Sequence, residues 1–393
     1  MRHIQRSILL LICLTVLFAC DSAQMQEKQP NETKSKETVL TRNLFSVKVG
    51  KEIGFIDRNG KIVVDPQFQG ARDFVEGRAG VAVSGEKYKE GFIDENGKLV
   101  IIPQFDATRD FSEGLAAVGI GFLGLHGSGE HKWGFIDKNG TMIIAPKFQE
   151  VQSFTEGLAA VMNDERKWGF IDKNGKVIIP FQFEDAFNFS EGLACVLTNG
   201  LFGFIDKSGK VVIEPRFATP SNFKEGLAAV ELPVKDFKPY KYYGTYVRSL
   251  GELLFIDKTG NTAIKFDSNV KRISDFSEGL ASVEIERKDK DYYTRLINKQ
   301  GKVAFDLPFY SSQVSFSEGL ARIEQNNRYG FVNKTGKIVI KPVYRWAEDF
   351  HNGLAEVSTS KQISDFVVTE NLGFEPNLGY IDKTGKVIWQ PTK

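Results

Sequence analysis

The sequence is short of cysteine and of net charge. It has 3 cysteines among 393 residues, and its 51 basic residues nearly cancel its 50 acidic residues, which leaves a net charge of +1. Nucleic-acid-binding proteins usually carry a basic stripe or a high pI, so we expect no nucleic acid partner. The sequence also lacks G-x-S-x-G, P-loop, H-E-x-x-H and C-x-x-C motifs. We therefore predict no catalytic set, no metal site and no cofactor.

The N-terminal apolar run is too short to be a comfortable membrane span. It extends from Ile8 to Phe18, whereas a spanning helix takes about 20 residues. The run follows Arg2 and Arg6 and ends in L-F-A-C, which resembles a bacterial lipobox closing at Cys20. The resemblance implies that residues 1–19 are a lipoprotein signal peptide and that Cys20 carries a lipid. An ordinary secretory signal with a chance cysteine is the alternative.

A polar segment with few apolar residues follows the predicted lipid. Residues 20–43 cannot bury enough apolar surface to offset their ordering entropy, so we predict a flexible tether. If Cys13 leaves with the signal peptide and Cys20 is lipidated, only Cys195 remains as a thiol. The exported domain then has no internal disulfide. Because its neighbours are small and apolar, Cys195 is predicted to be a buried thiol rather than a nucleophile.

Two short motifs alternate along the rest of the chain. Glycine (37) and phenylalanine (32) are both plentiful, which suits short strands joined by tight turns. The first motif is G-F-I-D, with copies or looser copies at positions 54, 91, 134, 169, 203, 254, 296, 330 and 379. The second is F-x-E-G-L-A-x-V, with copies at 74, 111, 154, 189, 223, 276, 316 and 350. Nearly constant spacing between the two motifs indicates one repeating unit.

Each unit is predicted to contain three strands: G-L-A-A-V, K-W-G-F-I-D and K-V-I-I-P. A variable loop joins the first two strands, and a D-K-N-G-K turn with a left-handed glycine joins the second to the third. Proline is expected to end the third strand, because it cannot donate to the ladder. The stretch that follows, F-Q-F-E-D-A-F-N-F at 181–189, is predicted to be either a fourth, irregular strand or a short turn.

The fold class predicted is all-β, an array of about nine antiparallel β-meander repeats over residues 44–393. One meander cannot bury its own apolar face, whereas stacked neighbours can. The units could be blades of a propeller, with the small-residue G-L-A-A-V strand nearest the axis, or they could stack into an open β-superhelix. Nine units are many for a closed ring, which usually has 4–8 blades. We favour a propeller-like or curved arrangement and leave closure open.

These motifs resemble the WG-repeat (KWG-repeat) family. The resemblance rests on K-W-G-F-I-D-K-N-G at Lys132 and Lys167 with the F-x-E-G-L-A-x-V companion, and it covers almost everything from Leu44 to Pro391. Most copies replace the tryptophan, for example with Ile53 or Phe202, so the position is predicted to be a packing preference. The resemblance implies an all-β bacterial repeat protein, often exported, and it implies no particular activity.

The repeated acids are predicted to be structural. The aspartates are expected to accept backbone N–H groups at the first turn position, as structural turn acceptors: Asp57, Asp94, Asp137, Asp172, Asp206, Asp257 and Asp382. The glutamates of F-x-E-G are expected to do the same before their glycines. Acid–base catalysis or calcium ligation is the alternative, but a catalytic residue is needed once and these acids recur in every unit. His126 and His131 share one loop, and loop polarity explains them better than a metal site does.

The long insertions are the candidate binding elements. All of them fall in the same loop of the unit, so they are expected to emerge on one rim of the array. Two insertions, 233–249 and 286–295, are aromatic and basic. Tyrosine suits recognition of proteins or glycans because it combines an apolar body with a polar tip. The candidate binding residues are Tyr240, Tyr242, Tyr243, Tyr246, Arg248, Tyr292 and Tyr293. Loops that fold back over the array are the alternative.

Together these observations predict a non-enzymatic, lipid-anchored protein of the bacterial cell envelope that presents a repeat platform for binding. The expected partner is an envelope protein or a polysaccharide such as peptidoglycan, with the membrane engaged through the N-terminal lipid. Two alternatives stay open. One is a cell-wall-acting hydrolase with its site at the loop rim, and the other is a purely structural spacer.

Overall fold

A computed structural model describes the chain in the ranges 43–83, 88–121, 131–237, 241–242, 245–246, 251–289, 291–307, 309–312, 314–358, 367–369, 372–375 and 378–391. The chain divides into two units, Met1–Leu40 and Thr41–Lys393, and all the described residues belong to the second. Every regular element in the described ranges is a β-strand. These ranges contain no helix long and apolar enough to cross a membrane.

The strands form nine antiparallel sheets, numbered here as blades in chain order. Blades 1 to 3 contain β1 (Phe45–Val49), β2 (Glu52–Ile56) and β3 (Ile62–Phe68); β4 (Gly70–Ala71), β5 (Ala79–Ala82), β6 (Glu90–Ile93) and β7 (Leu99–Phe105); β8 (Ala107–Thr108), β9 (Leu115–Ile120), β10 (Lys132–Asp137) and β11 (Met142–Phe148). Blades 4 and 5 contain β12 (Glu150–Val151), β13 (Leu158–Met162), β14 (Trp168–Asp172) and β15 (Val177–Phe183); β16 (Asp185–Ala186), β17 (Leu193–Thr198), β18 (Leu201–Asp206) and β19 (Val211–Phe217).

Blade 6 contains β20 (Leu227–Leu232), β23 (Glu252–Asp257) and β24 (Thr262–Lys265), with the hairpin β21 (Lys241–Tyr242) and β22 (Thr245–Tyr246) in its insertion. Blade 7 contains β25 (Val270–Ile273), β26 (Leu280–Glu286), β27 (Tyr292–Asn298) and β28 (Val303–Leu307). Blade 8 contains β29 (Phe316–Ser317), β30 (Leu320–Gln325), β31 (Arg328–Asn333) and β32 (Ile338–Tyr344). Blade 9 contains β33 (Leu354–Ser358), β36 (Leu378–Asp382) and β37 (Val387–Trp389), with the inserted hairpin β34 (Val367–Thr369) and β35 (Leu372–Glu375).

The burial of each strand shows which edge of a blade faces the axis. The L-A-A-V strand is buried on both faces, as in β13, whereas exposed residues recur along the third strand, as in β15. Neighbouring blades diverge towards the periphery of a ring, so the third strand is the outer one. In six blades a strand of two to four residues lies beyond the L-A-A-V strand, at the inner edge. The prediction that G-L-A-A-V is nearest the axis is therefore wrong in those blades.

In five of these blades the inner strand is formed by the stretch between the outer strand of one blade and the F-x-E-G motif of the next, whereas β29 of blade 8 belongs to the F-x-E-G motif itself. In blade 4, Glu150 and Val151 pair with Met162 and Val161 of β13. The stretch therefore leaves the outer strand of one blade and begins the next blade at its inner edge. This crossing from outer edge to inner edge links successive sheets of a propeller.

The ring is closed. Nine hydrophobic clusters occur among the described residues, and each combines side chains of two consecutive blades. One of them joins blade 9 to blade 1 through Leu354, Tyr380, Phe45, Val47 and Ile56. The Tyr380 ring lies 5.4 Å from the Phe45 ring, and its hydroxyl donates to the Ser46 carbonyl at 2.9 Å. The fold is a nine-bladed β-propeller.

Proline does not end the outer strand, contrary to the sequence-based expectation. β7 runs through Pro103 to Phe105, which pairs with Glu90 beyond a bulge. The missing N–H is tolerated because the proline lies on an edge strand at a bulge. The bulge passes close over the glycine of G-F-I-D: a Cβ on Gly91 would lie 2.3 Å from the Ile101 carbonyl oxygen. The motif therefore needs glycine for close backbone approach.

Candidate binding site

The two ends of the blades differ in what they present. The D-x-x-G turns and the F-x-E-G turns lie at one end, which we call the turn rim. The variable loops between the L-A-A-V and G-F-I-D strands lie at the other end, which we call the loop rim. This separation follows from the antiparallel order of the strands, and it places the inserted hairpins of blades 6 and 9 on the same rim.

The repeated aspartates hold the outer turns. In blade 4 the Asp172 Oδ1 accepts the N–H groups of Asn174 and Lys176, each at 2.9 Å, while Gly175 has a φ of 79°. The equivalent aspartates accept the same pair of N–H groups, for example Asp57, Asp94, Asp137, Asp206, Asp257 and Asp382. At Asp257 the Thr259 hydroxyl, opposed by desolvation and assisted by backbone N–H groups, lowers the carboxyl pKa. Each of these carboxylates therefore accepts backbone hydrogen bonds within its own turn.

The repeated glutamates connect one blade to the next. Glu113 and Gly114 have φ values of 52° and 88°, which define a type I′ turn. The Glu113 carboxylate accepts the N–H of Gly157 in the next blade's turn at 3.0 Å and pairs with Lys173 at 3.2 Å. Lys173 also donates to the Glu113 carbonyl at 2.9 Å. The glutamate therefore binds the turn of the next blade. The sequence-based expectation that it accepts N–H groups of its own turn is wrong.

We call this arrangement the turn-rim ladder. Its ion pairs recur at seven successive interfaces: Glu76–Lys138, Glu113–Lys173, Glu156–Lys207, Glu191–Lys258, Glu225–Lys299, Glu278–Lys334 and Glu318–Lys383. At Glu278 the hydrogen bond from Lys334, opposed by desolvation and assisted by the Gly319 N–H, lowers the carboxyl pKa. Ionised and paired carboxylates of this kind stabilise the contact between blades.

The repeat is broken most deeply in blades 6 and 7. Leu254 and Arg295 occupy the position of the close-approach glycine, and neither outer strand contains the bulge proline. Without the bulge, Leu254 pairs directly with Lys265 and Arg295 with Asp306. β24 has four residues and β28 has five, against seven in the outer strands of six other blades. Blade 9 keeps Gly379 and Pro391, and the described part of its outer strand, β37, has three residues.

A cavity on the loop rim lies beside the shortened outer strand of blade 6, and we call it the 6/7 groove. Its volume is about 820 Å³, within the range of about 300–1,000 Å³ that small-ligand sites occupy. It is lined by Gly251, Glu252, Leu253, Phe266, Asp267, Ser268, Val270, Lys271, Arg272, Glu284, Glu286 and Tyr292. Gly251, the first described residue after the insertion, lies at the groove.

The 6/7 groove combines an apolar floor with paired charges. Leu253 is 9% exposed, and Phe266 and Val270 pack against the core between the two blades. Lys271 pairs with Glu286 at 3.0 Å. The groove therefore offers apolar surface together with donors and acceptors of both signs.

Two tyrosines predicted as binding residues are described, and they differ in accessibility. Tyr292 lines the groove, with its ring 6.1 Å from that of Tyr310. Tyr293 packs against the blade 6/7 core, and the guanidinium groups of Arg287 and Arg295 lie 4.9 Å and 5.5 Å from its ring centroid. Of the pair, Tyr292 is therefore the residue in position to meet a ligand.

The other predicted binding residues lie wholly or partly outside the described part of the chain. Tyr240, Tyr243 and Arg248 lie outside the described residues, as do His126 and Cys20, the residue predicted to carry a lipid. Tyr242 and Tyr246 belong to β21 and β22, and their side chains also lie outside the described part.

Sequence reasoning missed the groove itself. Phe266, Lys271 and Arg272 belong to no motif, and they follow an outer strand whose shortness is not obvious from spacing. A signal was nevertheless present, because the units that lose the glycine of G-F-I-D also lose the proline twelve positions later, as at Leu254 and Phe266.

The fold, the repeated turns and the turn-rim ladder define a β-propeller built from one repeating unit. The family model described as "WG containing repeat" matches the chain eight times, at 53–88, 91–121, 133–166, 168–202, 202–232, 255–288, 295–329 and 329–360. These matches cover more than half of the chain. The chain belongs to the WG-repeat family, and the sequence-based recognition is confirmed.

Among solved structures, a eukaryotic initiation factor is similar over 89% of this chain and 97% of its own, at 11% identity with a TM-score of 0.56. BamB from Moraxella catarrhalis is 11% identical over 81% of this chain and 92% of its own, with a TM-score of 0.38. The β-propeller domain of the Trilobed protease from Pyrococcus furiosus is 12% identical over 72% of this chain and 97% of its own, with a TM-score of 0.41. At such identities the first likeness concerns the fold alone. No curated protein is similar enough to this chain to count as a relative.

Proposed function

We propose that the protein is a non-enzymatic, lipid-anchored protein of the bacterial cell envelope whose propeller is a binding platform, with the 6/7 groove as the partner site. One observation carries the proposal. Blades 6 and 7 lack the glycine and the proline that the other blades keep, and a groove of about 820 Å³ lies beside the shortened outer strand of blade 6. Packing does not require this departure, because six blades achieve the regular form.

The groove chemistry favours a protein partner over a glycan. Leu253, Phe266 and Val270 offer apolar contacts to side chains. Lys271 and Glu286 are half-exposed and offer charges of both signs to a partner. Interfaces of this kind combine an apolar centre with a polar rim, and aromatic residues such as Tyr292 often carry much of their binding energy.

The groove can be tested by site-specific photocrosslinking in cells. A photoreactive phenylalanine analogue would replace Ser268, which is exposed at the groove, and as a matched control Glu184, the exposed crossing residue between β15 and β16 on the same rim. We expect a protease-sensitive adduct from position 268 and none from position 184. Adding Lys271→Ala and Tyr292→Ala should remove it. An adduct with a glycan would identify the partner as a polysaccharide and not a protein. The absence of an adduct from either position would refute the groove assignment.

The anchor rests on sequence, namely the apolar run before Cys20 and the polar tether after it. Cys20→Ser should move the protein from the detergent phase to the aqueous phase in Triton X-114 partitioning. Unchanged partitioning would refute lipidation at this residue.

A further inference from the structure

A second departure from the repeat lies near the axis, in blades 8 and 9. The middle position of the L-A-x-V strand, or of its L-F-S-V equivalent in blade 1, holds a small residue in seven blades: Ser46, Gly80, Ala117, Ala160, Cys195, Ala229 and Ser282. The same position holds Arg322 in blade 8 and Glu356 in blade 9. Small residues suffice for packing at this position, so packing alone does not explain the two charged side chains.

Arg322 reaches from blade 8 to the beginning of blade 9. Its guanidinium lies 5.6 Å from the centroid of the Tyr329 ring and donates to the Ala347 carbonyl. It also lies 3.6 Å from a Glu348 oxygen and 3.7 Å from an Asp349 oxygen. The side chain is therefore fixed on several sides, which suits a group that must present donors in a set direction.

A polar cavity of about 440 Å³ lies beside Arg322. Its lining comes from four successive blades and includes Lys224, Asp275, Ser311, Ser315 and Asp349. It shares no lining residue with the 6/7 groove. Solvent reaches it, because the side chains of Lys224 and Asp349 are 54% and 44% exposed.

Five charged residues line this cavity, and four of them, Lys224, Asp275, Arg322 and Asp349, form two ion pairs, while Glu324 is the fifth. Lys224 pairs with Asp275 at 3.0 Å, and Arg322 lies beside Asp349. Ser311 is 3% exposed, and its hydroxyl accepts the Glu324 N–H at 3.0 Å, which leaves its own proton to donate. A charged ligand would meet repulsion from one member of each ion pair. A hydroxyl group can donate to the carboxylates and accept from the cations without disturbing either pair.

We propose that this cavity is a binding site for a neutral saccharide, held by hydrogen bonds from its hydroxyl groups to the two ion pairs and the serines. The volume lies within the range of about 300–1,000 Å³ typical of small-ligand sites. This site is independent of the proposed partner groove, and either one can exist without the other.

The ligand class is tested by isothermal titration calorimetry on the full chain in a detergent without a sugar headgroup. The probes are cellobiose and N,N′-diacetylchitobiose as neutral sugars, with glucuronate and glucosamine as an anionic and a cationic control. We expect saturable binding of at least one neutral disaccharide and at least tenfold weaker binding of both charged sugars. Binding of neither disaccharide, or tighter binding of a charged sugar, would overturn the proposal.

The location is tested by Arg322→Ala, which restores the residue found at positions 117, 160 and 229 and should therefore leave the fold intact. Arg109→Ala is the matched control, because Arg109 stacks over Trp133 at 4.8 Å and pairs with Glu150 outside the cavity. We expect at least tenfold weaker disaccharide binding for Arg322→Ala and no change for Arg109→Ala. Lys224→Ser is a second cavity variant should the first unfold. Full affinity in a folded cavity variant would overturn the proposal.

Discussion

The close approach at the glycine of G-F-I-D gives a sharp stability prediction for Gly134→Ala. A Cβ on Gly134 would lie 2.4 Å from the Ile144 carbonyl oxygen and 2.7 Å from the Pro146 nitrogen. Both neighbours are backbone atoms of β11, so no side-chain rotation relieves the contact. The two strands must separate at the bulge, and we expect Gly134→Ala to destabilise blade 3.

The size of the effect follows from two opposing contributions. Forcing extra volume into a packed site costs about 1–3 kcal/mol. Replacing glycine by alanine also reduces the entropy of the unfolded chain, which stabilises by about 0.4–1 kcal/mol. Gly119→Ala, one strand away, is the control that isolates the second contribution. Its nearest neighbour would be the Ala107 Cβ at 3.5 Å, an ordinary contact, and its φ is not left-handed. The two variants should therefore differ by about 2 kcal/mol.

Urea unfolding followed by circular dichroism would measure the difference, provided that the slope m is equal in both variants. Because a repeat array can unfold in parts, hydrogen exchange of the β9, β10 and β11 amides should be measured alongside. Gly134→Ala should speed exchange in blade 3, and Gly119→Ala should not. If the two variants differ by less than about 0.5 kcal/mol in both measurements, the close-approach explanation of the motif glycine is wrong.

Two further predictions concern the junction between blade 9 and blade 1, where the ring closes. Burial, together with the charges of Asp73 and Glu348, raises the pKa of Glu356 to about 7. The folded state therefore holds this proton more tightly than the unfolded state does. As a result, the free energy of unfolding falls as the pH rises from about 4.5 to 7. Glu356→Gln should remove that slope and be more stable than the wild type by about 3 kcal/mol at pH 8, as measured by urea unfolding across pH; an unchanged slope would contradict it. In addition, the glutamate position of the ladder in blade 9 holds Asn352 and the lysine position in blade 1 holds Arg58, so this interface lacks the glutamate–lysine pair found at seven others. The amides of β1 should therefore exchange faster than those of β13, and equal protection would show that the ladder contributes little.

The local parts of the fold were predictable from sequence because they repeat in sequence. The turn at Asp172 was expected from its own five residues, and the hydrogen bonds to Asn174 and Lys176 lie within that span. The number of blades and the all-β class followed from counting motifs. In each case the interactions that fix the structure join residues close together in the chain.

Contacts between units were not predictable in the same way. Glu113 binds Gly157 and Lys173, which lie one unit further along, and nothing in the F-x-E-G motif names that partner. Closure depends on Tyr380 meeting Ser46 across the whole length of the domain. It is fixed by the small rotation between successive blades, summed over nine of them. A sequence motif records the packing of one blade and not that sum.

The regular repeat also makes its exceptions interpretable. A glycine that becomes Leu254, or a small residue that becomes Arg322, is a change that the neighbouring blades show to be unnecessary for folding. Each of these changes lies beside a cavity, the first at the 6/7 groove and the second near the axis. Because the same packing arrangement recurs in nine blades, a residue that the blades share is expected to stabilise the ring. A residue that departs from them, where a cavity has opened, is where binding should be sought.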